Sequence, residues 1–396
     1  MVAPSSRSGA PASHPWLLFG VLFAARTSIA YQFQSVPTVG PYLVDTLEIT
    51  YGTLGLLIGS FMLPGVLLAI PGGMLDKRLG SKRVLLLGLA AMFLGGLLMV
   101  GRSPELLFAG RILSGAGAVI LNVVLAKVVA ERFAEQLVAV MGGFVASWPL
   151  GVALALVTLP RLAEQAGPAA ALVVGALPTA LCFLAIWALF RDAERSASIE
   201  PGKRFIGRLA TGLALTSGLV WGFYNVSYVV IVANLPEFLA LKGYSVPAAA
   251  GVTSILGWVL IVTLPGGGLI AQRMGHPFAT MATCLLLVGV AVGLLVVAEG
   301  VLWWVGLLAL LVGLPAGLIM ALPAQSLSPE DRSVGMGLFF TAFYGCMAVL
   351  PGIAGTVREF TGTPASALLC GGAGAILAAA CLLPFAALRS RALPRP

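Results

Sequence analysis

Twelve apolar runs, each long enough to cross a lipid bilayer, divide this chain of 396 residues. A membrane-spanning helix needs about 20 mainly apolar residues. With 59% hydrophobic and only 10% charged residues, the chain cannot cover itself with a surface that water solvates. The sequence therefore predicts an integral membrane protein. The runs lie at about 16–42, 54–73, 84–101, 106–129, 137–159, 169–190, 209–235, 248–271, 278–297, 301–322, 334–357 and 365–388.

A glycine-rich turn occurs twice, 195 residues apart. Residues 72–80 read GGMLDKRLG, and residues 267–275 read GGLIAQRMG. The same shift superposes Pro41 on Pro236. A repeat of this length, with six apolar runs in each copy, predicts two bundles of membrane helices. The expected domains are 16–190 and 209–388, with a polar tail at 1–15, a linker at 191–208 and a second tail at 389–396.

Lysine and arginine segregate strongly between the alternate loops. Seventeen lie on the side that holds both tails and the linker, and four lie on the other side. Because short cytoplasmic loops retain cations, both termini are expected in the cytoplasm, with the protein in a cell membrane, such as a bacterial inner membrane. The net charge of +8 does not indicate a nucleic-acid partner, since the cations lie in short loops between apolar runs.

Histidine and cysteine do not form a catalytic or metal-binding pattern. His14 and His276 are the only histidines and lie in a tail and a loop, and the five cysteines are scattered through apolar runs. An enzyme would need a nucleophile with a base, or a set of metal ligands. We therefore expect no enzyme activity, no metal and no cofactor. A channel and a solute sensor without net transport remain as alternatives.

Two short motifs resemble those of the major facilitator superfamily of secondary transporters. In the turn after the second run, Gly73, Leu75, Arg78 and Gly80 match the family pattern, although Asp76 stands one position early. In the fourth run, the pattern Arg-x-x-x-Gly occurs at positions 111–115. The resemblance implies an all-α membrane protein of twelve helices in two pseudo-symmetric six-helix bundles, working by alternating access. It assigns conformational coupling to Gly73, Asp76, Arg78, Gly80, Arg111 and Gly115.

Each motif also has a simpler interpretation. The turn at 72–80, here called the latch segment, could be only a positive loop that fixes topology. Arg111 could hold the end of its span near Glu105. Within the superfamily, the arginine in the first span and the Leu235–Pro236 step resemble the cyanate and nitroimidazole transporter branch. The glycine pattern of drug antiporters at 142–151 is incomplete.

Arg26 is the most informative single residue. It stands ten residues beyond Trp16, which places it about 15 Å into the bilayer at 1.5 Å per residue. All fifteen acidic residues fall in loops or at span ends, so Arg26 has no evident carboxylate partner. An anionic or strongly polar solute would complement it. Backbone carbonyls together with Gln34 are the alternative partners.

The expected function is a secondary active or facilitative transporter of a small polar, anionic solute. A proton-linked exporter of drugs or metabolites is the alternative. The expected partners are that solute, a proton or counter-substrate, and lipid, with the protein a monomer. Polar and aromatic residues that share helical faces are candidates for the solute site, although such faces also pack helices together. The candidate solute-binding residues are Arg26, Gln34, Asn122, Trp148, Trp221, Asn225, Tyr228, Thr341 and Tyr344.

Overall fold

The computed structural model describes residues 15–101, 103–133, 136–192, 206–328 and 331–392. Most of the predicted N-terminal tail, most of the linker at 191–208 and the end of the C-terminal tail lie outside these residues. The described chain forms thirteen α-helices. They are α1 (Pro15–Leu47), α2 (Tyr51–Ser60), α3 (Leu63–Leu79), α4 (Ser81–Leu98), α5 (Pro104–Arg132), α6 (Leu137–Val145), α7 (Ser147–Leu189), α8 (Arg208–Leu241), α9 (Val246–Met274), α10 (Pro277–Val297), α11 (Val301–Ser326), α12 (Arg332–Thr361) and α13 (Pro364–Ala392).

Thirteen helices make twelve membrane crossings. Helices α2 and α3 together form one crossing, interrupted at Phe61 and Met62. Helix α6 and the first part of α7 form another, interrupted at Ala146. Helix α7 has 43 residues, which complete this crossing and form the whole of the next one. The two are separated at Gly167, which adopts φ 85° and ψ 164°, a non-helical conformation that glycine tolerates. In the described residues eleven helical stretches are long and apolar enough to span a bilayer, and the stretch Gly143–Leu189 supplies two crossings.

The two ends of the bundle can be told apart by their junctions. We call the end where α1 begins and where Gly80 joins α3 to α4 the proximal end. The end where α1 terminates and α2 begins is the distal end. At the proximal end, the rings of Trp16 and Phe133 pack 5.4 Å apart, so the start of α1 meets the end of α5.

Contacts between helices 1–7 and helices 8–13 follow two seams. In one, α7 packs on α9; in the other, α2 and α3 pack on α12. The second seam depends on glycine, because small residues let membrane helices approach closely. A methyl group at Gly55 or Gly59 would lie 2.2 Å from the carbonyl oxygen of Pro351 or Ala348, respectively. The backbones of α2 and α12 therefore touch in the distal half of the bundle.

Candidate functional site

Arg26 lies in α1 and turns its guanidinium toward α5 and the junction of α6 with α7. Its Nε donates to Asn122 Oδ1 at 3.0 Å. Its Nη1 donates to the carbonyls of Phe144 and Val145, both at 3.0 Å, and to Ser147 Oγ at 3.1 Å. The break after α6 leaves these carbonyls without their full set of helical partners, so they can accept from a side chain. No described residue accepts a hydrogen bond from Nη2.

The partners of Arg26 agree in part with the alternative expected from the sequence. Backbone carbonyls are among its partners, as the simpler interpretation required, but Gln34 is not. Gln34 is buried and its Nε2 donates to Thr38 Oγ1 at 3.5 Å. Pro149, two residues beyond Ser147, packs on Gly257 of α9, where a methyl group would lie 2.8 Å from the Pro149 carbonyl oxygen. Arg26 thus lies near the boundary between the two halves of the chain, half-buried, with donor capacity left over.

Arg111 is fully buried in α5 and is held by backbone oxygens alone. Nε and Nη2 donate to the carbonyls of Leu57 and Ile58 at the end of α2, and Nη1 donates to the carbonyl of Phe33, each at 3.0 Å. The guanidinium carbon also lies 4.6 Å from the centre of the Phe61 ring. Arg111 therefore caps the C-terminal end of α2, where the helix dipole favours a cation. Among the described residues, Glu105 is not one of its partners.

Gly115 makes that cap sterically possible. A methyl group at this position would lie 1.9 Å from the carbonyl oxygen of Phe61, at the break between α2 and α3. One turn of α5 thus brings a glycine against the break and an arginine against the carbonyls that the break exposes. This is the structural role of the Arg-x-x-x-Gly pattern in this chain.

The remaining aromatic and polar candidates are distributed over α7, α8 and α12. Trp148 packs its ring 5.7 Å from Phe33, and Tyr344 packs on Gly65 of α3, where a methyl group would overlap the ring. None of the six candidates on these helices shares a described hydrogen bond or ring contact with Arg26. Trp221 stacks on Tyr224 at 5.3 Å, Asn225 donates to the Trp221 carbonyl at 2.8 Å, Thr341 donates to the Gly337 carbonyl at 2.9 Å, and the Tyr228 hydroxyl is buried with no partner among the described residues.

The latch segment forms the proximal end of α3 and the turn into α4. Gly73 and Arg78 lie in α3, and Arg78 is exposed. Gly80 ends the helix with φ 86°, which a residue with a side chain rarely adopts. Asp76 is 5% exposed; it accepts from Ser81 Oγ at 2.7 Å and from Lys127 Nζ at 2.5 Å.

Two sets of contacts were missed by the sequence reasoning. Lys127 pairs with Asp76 and lies 3.5 Å from Glu131. At the distal end, Glu237 of α8 pairs with Arg358 of α12, and the Tyr51 hydroxyl of α2 donates to the same carboxylate at 3.1 Å. Each of these charged residues stands near the end of an apolar run, where the sequence does not distinguish a partner from solvent.

Comparison with known proteins places this architecture in a family. The family model described as Major Facilitator Superfamily matches residues 18–351. The chain is 28% identical over 362 residues to the 2-nitroimidazole transporter of Escherichia coli (strain K12), covering 86% of this chain and 89% of the relative. It is 25% identical over 191 residues to the cyanate transport protein CynX of the same organism, covering 48% and 50%.

Further matches agree in kind. The uncharacterized transporter YycB of Bacillus subtilis (strain 168) is 27% identical over 252 residues. The match covers 61% of this chain and 60% of the relative's length, which is less than two thirds of that relative. Among solved structures, a mutant of the nucleoside transporter NupG has the same fold, with a TM-score of 0.73 at 15% identity over 94% of this chain and 99% of the other. The resemblance to the cyanate and nitroimidazole branch is confirmed, and the chain belongs to the Major Facilitator Superfamily, whose members are membrane transporters of small solutes.

Proposed function

We propose that this protein moves a small anionic solute across the membrane by alternating access, with Arg26 as its principal contact. The observation that carries the proposal is the hydrogen bonding of Arg26. Its Nε and Nη1 are fixed by Asn122, Ser147 and two carbonyls, while no described residue accepts from Nη2. A guanidinium held in place on one side can present its other side to a planar anion.

The charge balance at Arg26 supports an anion. All of its described partners are neutral, so a full positive charge remains in a half-buried site. A charge inside a membrane is costly unless an opposite charge or water compensates it. The relative named as a cyanate transport protein is consistent with a small anionic solute, since cyanate carries one negative charge. Asn122, Trp148 and Tyr344 would border the solute.

The transport cycle would use both ends of the bundle. We place the proximal end, the termini and the linker in the cytoplasm, with domains 16–190 and 209–388 moving against each other as a monomer. This placement follows the seventeen-to-four distribution of cations. Arg111 and Gly115 would transmit movement from α2 to α5, and the latch segment, through Asp76 and Lys127, would stabilise one access state.

The test combines binding and flux. Purified protein is titrated calorimetrically with an anion panel that includes cyanate, and uptake of the anions that bind is measured in proteoliposomes with and without a pH gradient. Arg26→Ala should raise the Kd about 10- to 100-fold, because hydrogen bonds to charged groups contribute roughly 1.5–3 kcal/mol. Arg26→Lys should retain part of the affinity. Arg161→Ala, which removes an exposed arginine of α7, is the control.

Three outcomes would contradict the proposal. Native affinity in Arg26→Ala would remove Arg26 from the solute site. Saturable binding of lipophilic cations in place of anions would favour the drug exporter. Binding without flux under any gradient would favour a solute sensor.

A further inference from the structure

The two halves of the chain pack one pair of helices in the same way. A methyl group at Gly151 of α7 would lie 2.4 Å from the carbonyl oxygen of Thr27 of α1. A shift of 195 residues turns this pair into Cys346 of α12 and Gly222 of α8, and a methyl group at Gly222 would lie 2.8 Å from the Cys346 side chain. The sequence repeat therefore holds in three dimensions, and residues 195 positions apart occupy equivalent places in the two bundles.

The place equivalent to that of Arg26 is occupied by a tryptophan. Under the shift, Arg26, Asn122 and Ser147 correspond to Trp221, Gly317 and Ala342, respectively. The second half thus has neither the cation nor the two side chains that accept from it. Because the repeat relates the two bundles about an axis along the membrane normal, the two places lie at equal depth. At that depth the first half is polar and positive, and the second half is apolar and aromatic.

Trp221 belongs to a group of packed rings in the second half, here called the aromatic cluster (Trp221, Tyr224, Phe343 and Tyr344). The Trp221 ring stacks on Tyr224 at 5.3 Å and lies 6.2 Å from the Phe343 ring. The Phe343 ring in turn lies 4.8 Å from that of Tyr344. These three neighbours are buried, whereas Trp221 is half-buried and its Nε1 donates to no described residue. The neighbours therefore fix the indole while part of its surface stays open.

The arginine site and the aromatic cluster lie beside the two seams between the halves. Pro149, at the start of α7, packs on Gly257 of α9, and its equivalent in the second half, Tyr344, packs on Gly65 of α3. Helices α1 and α8, which carry the arginine and the tryptophan, also contact each other. A solute held between the halves would therefore meet the cation on one side and the rings on the other.

These two surfaces suit an anion that carries an aromatic ring. An inorganic anion has acceptor atoms on all sides. Those turned toward the aromatic cluster would lose water and face mainly ring carbons, which cannot donate hydrogen bonds, and this loss is costly. A planar ring in the same place has no acceptors to satisfy, and it gains from burying apolar area and from stacking on the indole.

We propose that the solute is an aromatic anion, whose charged group binds Arg26 and whose ring stacks on Trp221. The proposal rests on the proposed function, from which it takes Arg26 as the contact for the anion. It adds a selective role for the second half of the chain, which distinguishes anions by the ring that they carry. An anion without a ring would bind Arg26 alone and with lower affinity.

Three probes of equal charge measure the two contacts separately. Purified protein is titrated calorimetrically with acetate, cyclohexanecarboxylate and benzoate. The last two carry rings of six carbons, and only that of benzoate is aromatic. Benzoate should bind about 2- to 10-fold more tightly than cyclohexanecarboxylate, because an aromatic pair adds to affinity beyond the apolar area that it buries. Acetate, which is too short to reach the indole, should bind most weakly.

Variants of three tryptophans assign the ring contact. Trp221→Leu keeps an apolar side chain and should abolish the preference for benzoate over cyclohexanecarboxylate, while the affinity for acetate stays within about twofold. Trp148→Leu removes the tryptophan beside Ser147 in the first half, and this variant should keep the preference. Trp303→Leu, which replaces a tryptophan that is 86% exposed at the start of α11, is the control and should match the parent protein.

Three results would overturn the ring contact at Trp221. They are equal affinity for benzoate and cyclohexanecarboxylate in the parent protein, a preference for benzoate that survives Trp221→Leu, and a preference that is lost in Trp148→Leu instead. If Trp221→Leu is not monodisperse, the more conservative Trp221→Phe decides. It is titrated with 4-nitrobenzoate, whose ring quenches indole fluorescence on contact, and saturable quenching equal to that of the parent protein would overturn the proposal.

The probes also separate a failure of this proposal from a failure of the proposed function. If acetate and benzoate bind Arg26→Ala as tightly as the parent protein, Arg26 is not the anion contact, and both proposals fail. If Arg26→Ala weakens the binding of all three probes but the parent protein shows no preference for benzoate, the anion site remains and only the selection of aromatic anions is overturned.

Discussion

The two arginines inside the membrane solve the same energetic problem in different ways. A buried guanidinium needs acceptors for its donors, and Arg111 obtains three carbonyls with its side chain fully buried. Arg26 obtains neutral partners from α5, α6 and α7 and keeps donor capacity. The sequence identified both residues from the cost of a charge in an apolar run, and it named backbone carbonyls as alternative partners of Arg26, but it did not say which carbonyls are free to accept. Most of these carbonyls lie beside helix breaks, and that of Phe33 lies four residues before Pro37, which has no N–H to donate to it.

Replacement of Arg111 by lysine should destabilise the protein although it keeps the charge. A single ammonium cannot reach three carbonyls on two helices with the geometry of the guanidinium fork. Each buried carbonyl left without a donor costs about 1–3 kcal/mol, so we expect a thermal unfolding midpoint lower by several degrees. The measurement is thermal unfolding in detergent, with the exposed Arg161→Lys as control. An unchanged midpoint in Arg111→Lys would show that the α2 cap does not contribute to stability.

At the scale of helices, continuous apolar runs conceal breaks. The second and fifth runs are interrupted at Phe61–Met62 and at Ala146, yet composition is apolar on both sides. Pro64 and Pro149 lie two or three residues beyond these breaks and are the available signals, since proline favours the first turn of a helix. The number of crossings was predictable from run length. The positions of the breaks, and therefore the site around Arg26, were not.

The seam between α2 and α12 should be sensitive to a single methyl group. In Gly55→Ala the new carbon would lie 2.2 Å from the Pro351 carbonyl oxygen, so α2 and α12 must move apart. We expect faster labelling of a cysteine at Ala233, which borders a small cavity between α1, α2, α8 and α12 near the distal end, by a membrane-impermeant maleimide. Gly345→Ala in α12 is the matched control, because no atom lies within 4 Å of the added carbon. Equal labelling of both variants would show that the seam does not close the distal end.

The latch segment should act through its ion pair. Asp76→Asn and Lys127→Gln each remove one partner of a contact at 2.5 Å, so their effects on uptake rate should be similar and the double variant little worse than either. Solute affinity should stay within about twofold, because neither residue has a described contact with Arg26 or with its hydrogen-bond partners. Glu131→Gln, which removes the more exposed neighbour of Lys127, is the control. Additive losses in the double variant would indicate that the two residues act separately.

For the whole molecule, the distribution of lysine and arginine predicts that the proximal end faces the cytoplasm, and this orientation can be measured directly. Single cysteines at Ser390, exposed at the proximal end, and at Glu299, exposed in a distal loop, should differ in intact cells. The impermeant reagent should label position 299 and should label position 390 only after lysis. The reverse pattern would contradict the proposed orientation and would place the proximal end outside the cell.

The hydrogen bonds of Arg26 and Arg111 have a consequence for how the protein is made. The acceptors of Arg111 precede it in the chain by 53 to 78 residues, so they are already synthesised when the fourth crossing enters the bilayer. The acceptors of Arg26 follow it by 96 to 121 residues. The first crossing must therefore leave the ribosome with an uncompensated cation and wait for three further crossings and the start of a fourth. During this interval the nascent chain depends on the protein-conducting channel or on lipid headgroups to solvate Arg26. A chain truncated before Phe144 should be retained in the protein-conducting channel, whereas one extended past Ser147 should be released into lipid.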